Sequence, residues 1–230
     1  MALRPVFLVP PAGEHCVLEA DVEFEWVPGM AISQKQKCSR SLHDAIKRKY
    51  ESARVLEVSS KSEDPLGLKL SAFNLVIRLD SGEQATVESA FQGSKVFYGG
   101  GPYSDLLLVH PREAKRDKRL KAAGPLAGFE FQGSHWGLTP RTAFYDWLYL
   151  RALIGGDLDR ERILSFDAFT DIEFNPKKSV NCQARSVALY RALSEDPDVD
   201  VAELLGDQES FIRVHEMRIR HGDLEHGSLF

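Results

Sequence analysis

The sequence predicts an α+β protein: mainly helical, with a few short antiparallel strands, folded as one domain over residues 1–230. Three observations predict it. Residues 142–153 (TAFYDWLYLRAL) and 181–193 (NCQARSVALYRAL) are apolar around most of a helical circumference, the pattern of buried core helices. Residues 17–26 (VLEADVEFEW) alternate apolar and acidic positions over most of their length, the pattern of a half-exposed strand. The chain has 230 residues, 43% hydrophobic and 27% charged, which suits a globular core and argues against disorder.

The other elements follow in order. Residues 1–15 are punctuated by proline and glycine and hold one short strand around 6–9. Pro28-Gly29 ends the second strand. Ser33-Gln34-Lys35-Gln36 has the S-x-x-Q form of a capping box and opens a basic helix to about residue 49. A short strand at 54–59 comes next, then a hairpin in which 70–79 and 85–87 flank Asp80-Ser81-Gly82-Glu83. A helix spans 87–97 and stops at Gly99-Gly100-Gly101-Pro102. Residues 111–122 form a charged surface helix, and Thr139-Pro140 starts the first core helix. A short helix at 160–165, an irregular charged loop at 166–178 and a closing helix at 208–215 complete the chain. The domain core lies at about 20–195, and 196–230 supply a C-terminal helix and a tail that frays from residue 218.

Charge and motif content narrow the function. Lys and Arg total 29 against 34 Asp and Glu, which argues against non-specific nucleic-acid binding through bulk positive charge and leaves room for a local basic cleft. No apolar run approaches the roughly 20 residues of a membrane helix, and no secretory h-region opens the chain. Cys16, Cys38 and Cys182 are far apart and odd in number; they make neither a metal pair nor a disulfide framework, and a reduced, cytoplasmic location is expected. His43 and His135 lack metal spacing, and no GxGxxG, GxxxxGKS or GxSxG occurs. P-loop, Rossmann and serine-hydrolase chemistry are thereby set aside.

Three constellations remain. In TVESAFQGSKVF (86–97), Glu88, Gln92 and Lys95 stand at i, i+4 and i+7, within roughly 60° of one another on a helix. The stripe is either an ordinary solvated face or a site offering a carboxylate, an amide and an amine, with Phe91 and Val96 packing its edges. In FTDIEFNPKKSVNCQARS (169–186), Asp171 and Glu173 precede a helix start at Asn181, a placement that suits sugar hydroxyls and anions as well as a plain capped turn. In the third, Lys35, Lys37 and Arg40 crowd a helix start against its dipole, which suggests an anionic ligand or a basic surface turn.

These blocks together with LKLSAFNL (68–75) resemble the NADAR (YbiA-like) superfamily, most closely the NADAR antitoxins encoded beside DarT-type DNA ADP-ribosyltransferase toxins. The superfamily pattern is a Ser-x-Phe-like segment, an S-E-H-x-x-Q-x-x-K helix and a late Gly-Asp loop leading to an N-R-x-G helix. Ser71-Ala72-Phe73-Asn74 stands at the first, Glu88, Gln92 and Lys95 at the second, and Asp171 and Asn181 at the third. Ser89 replaces the histidine and IEFNPKK the Gly-rich stretch, changes that fit the antitoxin branch, as do SQKQKCSRSLHDA and RTAFYDWLYLRAL. The resemblance covers about residues 20–195.

The resemblance implies a YbiA-like (NADAR) fold and hydrolytic removal of ADP-ribose from guanine bases in DNA, with water as co-substrate and no metal or redox cofactor. It implies Glu88 as the first catalytic carboxylate and Asp171 as the second, with Lys95 as acid, phosphate ligand or Schiff-base nucleophile. Gln92, Ser71, Phe73, Asn74, Asn175 and Asn181 become substrate contacts. Lys35, Lys37, Lys177 and Lys178 become candidates for the diphosphate or DNA backbone, and Trp136 and Phe97 candidates for stacking, with core packing as their other role. The expected partners are ADP-ribosylated guanine in DNA and a cognate DarT-type toxin, with no membrane. Two other functions stay open: an N-glycosidase acting on a free nucleotide or riboflavin-pathway intermediate, and a non-catalytic module that binds ADP-ribose or the toxin.

Overall fold

The computed structural model describes residues 1–10 and 14–221. In chain order, β1 (Ala2–Leu8) and β2 (Val17–Phe24) precede α1 (Ile32–Lys49), β3 (Val55–Glu57) and α2 (Pro65–Lys69). The hairpin β4 (Val76–Arg78) and β5 (Gln84–Thr86) runs into α3 (Val87–Gly93), then β6 (Lys95–Phe97). Two short helices, α4 (Pro111–Ala114) and α5 (Arg119–Ala122), lead to β7 (Leu126–Phe131), β8 (Ser134–Trp136) and α6 (Ala143–Gly155). The chain closes with α7 (Arg160–Leu164), β9 (Ala168–Thr170), α8 (Gln183–Ser194), α9 (Val201–Leu204), α10 (Gln208–Arg218) and β10 (Ile219–His221). The fold class is α+β. No helix among the described residues is long and apolar enough to cross a membrane.

The residues form two compact units, Ser71–Leu158 being one and the segments on either side of it the other. The flanking unit carries a five-stranded sheet ordered β10-β2-β1-β9-β3. The β1–β2 ladder is antiparallel from Ala2↔Phe24 to Leu8↔Leu18, and the acidic positions Asp21 and Glu23 point to solvent as the alternation predicts. The buried stripe of α1, Cys38, Leu42, Ala45 and Ile46, joins Val6, Leu8, Leu18, Val22 and Phe24 in one apolar core. The helix α8 is buried on nearly every side, with Ala184, Val187, Ala188 and Leu189 closed to solvent.

The Ser71–Leu158 unit is held by an aromatic core. Phe129 stacks on Phe144 with centroids 4.6 Å apart, Phe91 lies 5.4 Å from Phe129, and Trp136 lies 4.9 Å from Trp147. Such pairs contribute about 0.5–1.5 kcal/mol each beyond the area they bury. α6 crosses this core and buries ten of its 13 residues.

Several local expectations are corrected. α1 begins at Ile32, and the glutamine that reaches back is Gln34, whose Oε1 accepts the Ala31 N–H at 3.0 Å. The predicted helix over 87–97 ends at Gly93, because the β-prone Lys95–Phe97 pairs antiparallel with β7. The predicted helix over 111–122 is two short helices, interrupted where Asp117 turns its carboxylate to the Arg119 N–H at 2.8 Å. Pro140 lies before α6 rather than in its first turn. The β7–β8 hairpin was not expected; Gln132 and Gly133 both adopt positive φ (49° and 78°), the conformation of a tight hairpin loop. The sheet is mixed, since β3–β9 and β10–β2 are parallel. The strand β9 falls in the stretch expected to be irregular, and β10 in the expected frayed tail, whose remainder lies outside the described residues.

Candidate functional site

Two buried polar clusters stand out, one in each unit. In Ser71–Leu158 the cluster is built on α3. Thr86 caps this helix, its Oγ1 accepting the Ser89 N–H at 3.1 Å. The preceding turn is fastened to it as well: the Glu88 N–H donates to the Ala72 carbonyl at 2.9 Å, and Ser71 Oγ accepts the Phe73 N–H at 3.4 Å. The Ser71–Asn74 segment and the α3 stripe, separate blocks in sequence, are therefore one structure. Ser71 is buried, Phe73 half-buried and Asn74 exposed.

All seven residues of α3 are buried. Glu88 and Gln92 retain 6% exposure each, so their polar atoms need partners. Gln92 Nε2 donates to Glu88 Oε1 at 2.8 Å, and Lys95 Nζ donates to Gln92 Oε1 at 2.8 Å. The carboxylate on one side and the ammonium on the other fix which way the amide faces. Lys95 stands on β6 rather than on the helix, yet the turn at Gly93 returns its amine to the expected stripe and over the Phe91 ring, 4.7 Å from the centroid. Lys115 approaches Glu88 Oε1 at 3.4 Å and lies over Phe73. Burial pushes the Lys95 ammonium down to about 8; Glu88 opposes the change and Lys115 reinforces it. This amine therefore becomes neutral and nucleophilic around pH 8, far below an ordinary lysine.

The second cluster lies in the flanking unit. Asp171 Oδ1 accepts the Glu173 and Phe174 N–H groups at 2.9 and 3.2 Å, and Oδ2 accepts from Gln183 Nε2 at 2.9 Å. Beside it, Glu57 Oε1 accepts the Ile172 N–H at 2.9 Å and Oε2 accepts the Thr170 hydroxyl at 2.7 Å. His43 Nε2 lies 2.9 Å from that same hydroxyl. Burial, then the charge of Glu57, pushes the Asp171 carboxyl up to about 8. Burial also raises Glu57 and drives the His43 imidazole down to about 4. Two buried carboxyls in one field hold a proton between them near neutral pH.

The other expected contacts scatter. Lys35 lies over the Trp26 ring and pairs with Glu173 at 3.0 Å, so its charge is already matched within the protein. Lys37, Lys177 and Lys178 are exposed. Asn175 Oδ1 accepts the Lys177 N–H at 3.0 Å, the plain turn arrangement. Asn181 Oδ1 is a buried acceptor with no hydrogen-bond partner among the described residues. Trp136 is 4% exposed and packs in the aromatic core, whereas Phe97 is half-buried near Tyr103. Sequence reasoning missed Glu57, Thr170, Gln183 and Lys115, and singled out His43 only as a non-metal histidine. For Glu57 a signal existed: it is the one charged residue in the apolar run VLEV. Among the described residues no group of three or more His, Cys, Asp or Glu is placed to hold a metal ion.

An α+β fold is what the NADAR resemblance implies. The family model of DarT1-associated NADAR antitoxins matches residues 2–223, and the chain belongs to this family. Its role is that of an antitoxin, with a DarT1 toxin as counterpart. No curated protein matches the chain.

Proposed function

We propose that the protein neutralises its toxin by hydrolysing the N-glycosidic bond between ADP-ribose and guanine in DNA. The observation that carries this reading is the Lys95–Gln92–Glu88 chain, in which a buried amine of lowered basicity is hydrogen-bonded through one amide to a buried carboxylate. Such a pair suits a glycoside whose carbon becomes electron-poor as the bond to the base weakens. The ribose C1–ring-oxygen bond breaks first; the ring oxygen takes a proton from water, and the lone pair of the base nitrogen forms C1=N. Glu88 stabilises the positive charge. The neutral Lys95 amine then adds to C1, and its displaced proton leaves with the guanine amino group as the C1–N(base) bond breaks. The hydroxide left by ring opening adds to the protonated lysine imine, and collapse of the adduct releases open-chain ADP-ribose with the free amine restored.

An oligonucleotide carrying ADP-ribosylated guanine tests the reading, with DNA mass and released ADP-ribose as readouts. Wild type restores unmodified DNA. Glu88→Gln and Lys95→Arg, which keep size and, for Lys95, charge, are expected to lower turnover by at least about 100-fold. Borohydride added during turnover should reduce the imine and leave ADP-ribose attached to Lys95. Intact modified DNA in the presence of folded wild-type protein sinks the proposal. Asp171 belongs to the other cluster, and Asp171→Asn tests its contribution separately.

A further inference from the structure

We propose that residues 110–121, which contain α4 and α5, are the track for the phosphate backbone of a single DNA strand flanking the modified guanine. This surface deepens the proposed reaction and rests on it. The stretch HPREAKRDKRLK carries six Lys and Arg residues against Glu113 and Asp117, in a chain whose net charge is −5. An acidic protein that handles DNA needs its attraction concentrated in one place.

The structure turns this segment outward. Pro111, Ala114 and Ala123 are buried and pin it down, while Arg112, Lys115, Arg116, Lys118, Arg119 and Lys121 are all exposed. Arg119 is held in a fork by Asp105 and Asp117, and Lys115 reaches Glu88. That leaves Arg112, Arg116, Lys118 and Lys121 without an ion pair to any described residue. The contact between Lys115 and Glu88 makes the basic surface continuous with the α3 cluster inside one unit. At its far end the backbone of Tyr98 and Gly99 is hydrogen-bonded to Pro125 and Ala123. This fastens Tyr98, 81% exposed, beside the end of α5. Exposed cations with an exposed aromatic next to them are what a single strand requires: charges for phosphates and a ring for an unstacked base. A base that is to lose its ADP-ribose must leave the duplex or never enter it, so the flanking strand is single where it meets the protein.

The test compares the wild-type chain with a quadruple variant, Arg112→Gln, Arg116→Gln, Lys118→Gln and Lys121→Gln, and with Tyr98→Ala. Substrates are a single-stranded oligonucleotide bearing ADP-ribosylated guanine and the ADP-ribosylated guanosine nucleoside. In the quadruple variant the oligonucleotide KM should rise about tenfold or more at low salt. Its dependence on log salt should flatten by about two to three, at roughly 0.7 per lost phosphate contact. Nucleoside turnover should stay within about twofold of wild type. Tyr98→Ala should weaken oligonucleotide binding with no change in salt slope. An unchanged oligonucleotide KM and salt slope overturns the proposal, and so does an equal loss on both substrates, which would make the segment a support for the α3 cluster. Should wild type act on neither substrate, the reaction fails rather than the surface. Binding of an unmodified single strand by fluorescence anisotropy then decides: a salt-sensitive affinity lost in the quadruple variant upholds the track, and equal binding by both proteins overturns it.

Discussion

Lys95 has its amine set by three neighbours: the protein interior that excludes water, Glu88 that favours its charge and Lys115 that opposes it. The rate should therefore rise with pH through about 8, as the amine loses its proton. Replacing Lys115 with Met removes a repelling charge, and the rising limb of kcat/KM against pH should move to higher pH. A limb that stays in place means that Lys115 does not tune the amine. Glu57 supports a second prediction. Glu57→Gln keeps an acceptor for one of its two donors, whereas Glu57→Leu strands both the Ile172 N–H and the Thr170 hydroxyl. The leucine variant should lose about 2–4 kcal/mol of stability by chemical denaturation, and the glutamine variant clearly less. Glu88, Gln92 and Lys95 were legible because they lie within eight residues and chemistry at that spacing has a geometric meaning. The Glu57–His43 pairing was not: a lone charge in an apolar run marks Glu57, but the shared partner, Thr170, is 113 and 127 positions away.

α3 is short, and its position rests on its ends. Thr86→Ala removes the cap and should cost about 1–2 kcal/mol, seen as a lower Tm, with turnover falling as Glu88 loses its fixed place. At the other end, a methyl on Gly93 would come within 3.0 Å of Leu107 Cδ2 and 3.1 Å of the Tyr103 carbonyl. Gly93→Ala should cost about 1–3 kcal/mol in urea titration, despite alanine's better helix propensity. A neutral or stabilising result would mean that the turn at Ser104–Leu106 gives way easily. The sequence disclosed elements whose cause is local: the alternating β2, the apolar-all-round α6 and α8, and the stripe on α1. It did not disclose where α3 stops, since the reason is a ladder with β7 some thirty residues later. Nor did it disclose β9, three residues whose neighbours in the sheet, β1 and β3, both lie more than a hundred positions earlier.

At the scale of the whole protein, buried groups set the pH response. Asp171 binds its proton more tightly folded than unfolded from 3.8 to about 8, so it lowers stability as pH rises through that window. His43 acts oppositely: unfolding lets it take up a proton between 6.5 and about 4, so it lowers stability as pH falls there. The two trends oppose each other below 6.5, and above it only the carboxyls remain. Glu57, also raised by burial, adds to the Asp171 trend, so Tm should decline from pH 6.5 to 8 and decline less steeply below 6.5, where His43 opposes the carboxyls. Asp171→Asn should flatten that decline and expose the acid-side loss due to His43; an unaltered curve would show that Asp171 ionises normally. The strand order carries a last consequence for how the protein is made. β9 sits between β1 and β3, so the first two parts of the sheet leave the ribosome with no strand to join them. The aromatic unit, contiguous in the chain, is complete at Leu158, before the joining strand is synthesised. A nascent chain released before residue 168 should thus contain a finished aromatic core alongside strand edges that still lack their partner, the form in which quality-control proteases would find it easiest to grip.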